Sequence, residues 1–137
     1  MRFLATALCL LLIGASGPPV AVDTASGDWS RLQLLNQNGY DHLDTKVMAR
    51  LYQIAKQRQC NLSGYDRSSL HFDMSFAAQF SPDGTLRRIV IPKLDCPEAE
   101  SIIGGALLNM IEAGDYRPTG KSIHDGWYRG DLAFGFE

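Results

Sequence analysis

The run Leu70 to Gly84, LHFDMSFAAQFSPDG, constrains this chain most. Leu70, Phe72, Met74, Phe76, Ala78 and Phe80 fall on every second residue, with His71, Asp73, Ser75, Ala77 and Gln79 between them. A period of two is the signature of a strand with one buried face and one wetter face. Ser81-Pro82-Asp83-Gly84 then reads as a turn, because proline presets φ and glycine accepts positive φ. A second strand is expected from Leu86 to Leu94, where Ile89, Val90 and Ile91 stand in a row. Arg87 and Arg88 point to opposite faces, so one can shield an edge or reach across to Asp73.

Helices are expected on either side of this hairpin. Leu43, Val47, Leu51, Ile54 and Ala55 recur at three and four residues, which predicts an amphipathic helix over Asp44 to Gln59 with Asp44 as its N-cap. Lys56 and Arg58 suit the negative end of its dipole. Pro97 to Ala113 is the second helix, with Pro97 at the first position, Glu98 and Glu100 at the positive end, and Gly114 as C-cap. Its apolar stripe is Ile103, Ala106, Leu107, Met110 and Ile111, and Gly104-Gly105 permits close packing on a sheet. A last strand, Trp127 to Phe136, alternates Leu132, Phe134 and Phe136 with Ala133 and Gly135. The fold expected is α+β: a three-stranded antiparallel sheet packed on one face by two helices, in the order helix-β-β-helix-β.

Arg2 followed by the uncharged apolar stretch Phe3 to Ile13 and the small residues Gly14 to Gly17 has the layout of a secretory leader. The apolar run is shorter than the ~20 residues a spanning helix needs, although an uncleaved anchor is the alternative. We assign residues 1–22 to the leader and place the cut between Val20 and Ser26, because Pro18 and Pro19 disfavour a cut directly after Gly17. Cys9 lies inside the apolar run, so no lipoprotein anchor is read. Residues 23–40, rich in Gly, Ser, Asp and Asn, are expected to be a flexible lead-in with a short helical turn around Trp29 to Leu35. Residues 41–137 form the single domain.

Removal of the leader leaves Cys60 and Cys96. In an exported chain this pair is most simply a disulfide, with two free buried thiols as the alternative. No C-x-x-C points to redox chemistry. Formal charge is −2, or −3 without Arg2, and no basic stripe or polybasic helix suggests nucleic acid or a membrane surface as partner. Asn61-Leu62-Ser63 spells a glycosylation sequon, a short signal that is common by chance.

The order strand, Asp-Gly turn, strand, helix, Tyr116-Arg117-Pro118, then a strand with alternating Phe resembles the C-terminal domain of TonB and the related domain of TolA. The matching stretches are Phe72 to Gly84, Val90, Pro97 to Ile111, Tyr116 to Pro118 and Leu132-Ala133-Phe134, within residues 65–137. The TolA domain also pairs cysteines at positions that Cys60 and Cys96 could fill. The resemblance implies a periplasmic, non-enzymatic domain without cofactor. Such a domain would bind an envelope protein by adding a strand to its sheet edge, with a strand-exchanged homodimer as a further possibility. Carried over, Tyr128, Arg129, Gly130, Asp131 and Leu132 are the candidate partner-binding edge, and a solvated edge guarded by Arg129 and Asp131 is the plainer reading. Lys93-Leu94-Asp95-Cys96-Pro97 departs from the family pattern. The short lead-in cannot span an envelope, which favours a free-standing adaptor over an energy transducer.

Two other functions fit these residues. One is an inhibitor or immunity-like protein. The other is a small hydrolase or metal enzyme built on His71 and Asp73, with Ser75, His42 or His124. Successive residues on one strand face are about 7 Å apart, which is too far for the ~3 Å hydrogen bonds of a triad. No H-x-x-x-H or similar metal-ligand spacing occurs.

Overall fold

The computed structural model describes residues 19–38, 43–57, 59–62, 65–66, 69–120 and 124–136. The leader expected over residues 1–22 lies mostly outside these residues. So do His42 and Ser63.

The chain is α+β. Its strands are β1 (Ala21–Thr24), β2 (Gln33–Leu34), β3 (Asn36–Gln37), β4 (Leu70–Phe80), β5 (Leu86–Ile91), β6 (Tyr116–Arg117) and β7 (Trp127–Phe136). The helices are α1 (Thr45–Lys56) and α2 (Pro97–Glu112). The sheet has five strands in the order β1-β5-β4-β7-β2, and it is mixed rather than three-stranded and antiparallel. β4 pairs antiparallel with β5 and β7, while β1 joins β5 and β2 joins β7 in parallel. β3 and β6 form a separate antiparallel pair. Both added strands come from residues 23–40 or just before them. They carry no periodic pattern because each is short and paired with residues far along the chain.

Local chemistry explains the element ends. Asp44 caps α1 by accepting from the Lys46 N–H at 2.8 Å. That helix ends at Lys56, three residues before the expected Gln59. The Glu100 carboxylate reaches back to the Cys96 N–H at the start of α2. Gly114, at φ 88°, ends α2 in a Schellman motif: Asp115 N–H bonds Met110 C=O and Gly114 N–H bonds Ile111 C=O. β5 stops at Ile91 rather than Leu94, because Pro92 has no N–H to continue the ladder. Around Trp29 there is one turn, closed by the Leu32 N–H on Trp29 C=O, and then β2 rather than helix.

The core lies between the sheet and the two helices. Phe76, Ala78, Ile89, Ile91, Tyr128 and Leu132 meet Leu51, Ile54, Ile103 and Leu107. The turn of chain between β1 and β2 must cross from one sheet edge to the other, and it does so over the opposite face. There Ser30 C=O accepts from Arg129 Nη1 at 3.4 Å. This strap makes the expected wetter face partly dry: Ala77 is buried between Arg129 and Val90. Cys60 and Cys96 form a disulfide with Cα atoms 5.6 Å apart, tying the end of α1 to the start of α2. Among the described residues no helix is long and apolar enough to cross a membrane.

Candidate functional site

β7 is the strand on which the candidate residues sit, and the pleat divides them. Tyr128, Gly130 and Leu132 face the helices, whereas Arg129 and Asp131 face the strap. Tyr128 is buried edge-on to Phe80, with ring centroids 5.8 Å apart, and its hydroxyl donates to Gly120 C=O. Leu132 is core. Gly130 faces Phe76 in the ladder, and the Phe76 ring fills the space where a side chain at Gly130 would stand. These three side chains are therefore packing residues.

Arg129 and Asp131 belong to a polar cluster with Ser75. The Ser75 hydroxyl donates to Asp131 Oδ1 at 2.7 Å. Arg129 Nε is buried without a hydrogen bond, and Asp131 Oδ1 is 3.6 Å away. An open depression of about 450 Å³ lies over this cluster, lined by Gln37, Asp73, Ser75, Arg129, Asp131 and Ala133 among others. Ser75 is thus engaged by Asp131. His71 lies over Gly135, opposite it in the ladder, and not over Ser75. His71, Asp73 and Ser75 do share one face, as their spacing requires, but the hydroxyl is turned toward β7. Among the described residues no group of three His, Cys, Asp or Glu is placed to hold a metal ion.

The backbone of β7 has its own geometry. Arg129 C=O accepts from the Leu35 N–H at 2.7 Å, and Asp131 C=O accepts from the Tyr116 hydroxyl at 2.9 Å. Both carbonyls point away from β4. In an antiparallel ladder alternate residues turn their N–H and C=O to the same side. Ala133 and Gly135 therefore present theirs outward as well. β2 pairs only with Tyr128 and Arg129. Beyond it, no described strand pairs with the outer edge of β7, and Ala133 and Gly135 are the smallest residues available to line it.

The covering strand is firmly held. Gln33 Nε2 donates to Thr119 C=O and Oγ1 at 2.8 and 2.9 Å, Thr119 Oγ1 donates to Leu34 C=O, and Asn38 N–H bonds Asp115 C=O. Half of the candidate edge is accordingly occupied by the chain itself. Sequence reasoning missed this because β2 is two residues long. Comparisons with protein-family models, curated proteins and solved structures find no match for the chain.

Proposed function

We propose that this protein is an exported binding module, resembling the TonB C-terminal domain, that takes an extended segment of an envelope protein onto the outer edge of β7. The observation that carries this reading is the mismatch between β7, which runs to Phe136, and β2, which covers only Tyr128 and Arg129. The binding stretch is then Leu132 to Phe136, shifted along the strand from the candidate edge Tyr128 to Leu132, because the outward Asp131 C=O is taken by the Tyr116 hydroxyl. Main-chain bonds at Ala133 and Gly135 would supply affinity, and the depression beside Asp73 and Asp131 would receive alternate side chains of the incoming strand. The disulfide fits an oxidising compartment such as the periplasm.

Proline tests the edge cleanly, because the Ala133 N–H points outward and its loss spares the β4 ladder. Oxidised wild-type protein and Ala133→Pro are each used to capture proteins from an envelope extract. The expected result is a captured protein that is lost with Ala133→Pro while circular dichroism stays unchanged. A protein captured equally by both folded forms places binding elsewhere and overturns the reading.

A further inference from the structure

We infer that export processing cuts this chain between Ser16 and Gly17, so that β1 survives intact as the first element of the mature protein. The inference goes beyond the binding role and rests on reading the N-terminus as a cleavable leader.

The observation is what β1 does. Ala21 to Thr24 pair in register with Arg88 to Ile91, and the Ala25 N–H bonds Ile91 C=O at 3.0 Å. Val22 seats on Gly104 of α2 so closely that a Cβ at Gly104 would lie 2.5 Å from its Cγ1. Asp23 sits 3.6 Å from Arg88 Nε, and Val20 packs against the core. A cut after Val20 would remove the core contact of Val20 and leave β1 starting at the chain end, and one anywhere from Ala21 to Ser26 would trim or delete this strand. The latter would bare the edge of β5, the liability that sheet proteins otherwise cover.

Moving the cut upstream leaves few choices. A leader peptidase needs small residues at the last and third-last positions of the leader. Gly14 and Ser16 meet this requirement and put Gly17 first in the mature chain. A cut after Gly17 or Pro18 would place a proline directly after the bond. One after Ala15 would put Ile13 in a position that takes small side chains.

The full chain is expressed with its own N-terminus in a double-membrane bacterium, and protein from the periplasmic fraction is analysed by N-terminal sequencing and intact mass. The expected N-terminus is Gly17-Pro18-Pro19-Val20. Ser16→Leu should reduce the processed form at least tenfold, whereas Ala25→Leu should leave processing unchanged. An N-terminus between Ala21 and Gly27 overturns this inference while leaving the leader reading intact. Full-length protein starting at Met1 overturns both.

Discussion

The ring of Phe76 occupies the side-chain space of Gly130, its partner across the β4–β7 ladder. Phe76 is itself fixed, fully buried and edge-on to Tyr116 with centroids 5.1 Å apart. The ring has no room to retreat from an added methyl. Gly130→Ala should therefore destabilise the fold by about 1–3 kcal/mol, the usual cost of overpacking. Urea denaturation would show a lower midpoint with the slope retained. In a double mutant with Phe76→Leu the two losses should add to less than their sum.

The disulfide closes a loop of 36 residue steps. The chain-entropy treatment gives such a crosslink about 4 kcal/mol. Cys60→Ser combined with Cys96→Ser should lower stability by roughly 2–4 kcal/mol. Wild type unfolded in the presence of a reductant should approach the same midpoint.

The Asp83 carboxyl in the β4–β5 turn accepts from the Ser81 hydroxyl and from the Thr85 N–H, and these bonds hold its pKa down from 3.8 to about 2. A depressed carboxyl contributes its stability above the unfolded value and loses it as pH falls through the folded one. The turn contribution should be constant above about pH 5 and disappear between 3.8 and about 2. An NMR titration of the Asp83 side chain should show a midpoint near 2. Asp83→Asn should remove this part of the acid dependence.

Proline substitutions at neighbouring positions of β7 should separate sharply. Leu132 faces Met74 and turns its backbone toward β4, so Leu132→Pro breaks the ladder and buries the change in the core. Ala133→Pro affects only the outer edge. Thermal melts should show Ala133→Pro within a few degrees of wild type and Leu132→Pro without a cooperative transition.

Gly104 is the seat of Val22. Gly104→Leu should expel β1 from the sheet. Hydrogen exchange would report it as lost protection of amides in Ala21 to Thr24 and along the edge of β5, with β4 and β7 unaffected.

Much of this was legible in the residues, and the remainder was hidden for definable reasons. The Asp44 cap, the Asp83-Gly84 turn, the Pro97 start and the Gly114 stop are local devices, each read from a few neighbours, and each stands in the fold as expected. β1 and β2 escaped because a strand of four or two residues carries too few alternations to register, and their partners lie about 67 and 95 positions away (Ala21 with Arg88, Gln33 with Tyr128). The burial of Ala77 depended on a strap that no pattern announces. At the candidate site, Arg129 and Asp131 stand on one face of β7, two residues apart, and the hydroxyl partner of Asp131 comes from Ser75, a contact set by the ladder register that the sequence does not announce.

The strap gives this chain an order of assembly. Its two ends close opposite margins of the sheet, and one of them docks on β7, the last strand described. The residues of β2 are made early in synthesis, but their docking place exists only once β7 has followed. Until then β1 can already cover β5, but the β4 margin of the half-built sheet stays bare. Pairings this distant in sequence form slowly, and unpaired strand edges invite association. The chain should therefore be most in need of chaperone protection during the interval between the arrival of β4 and the completion of β7.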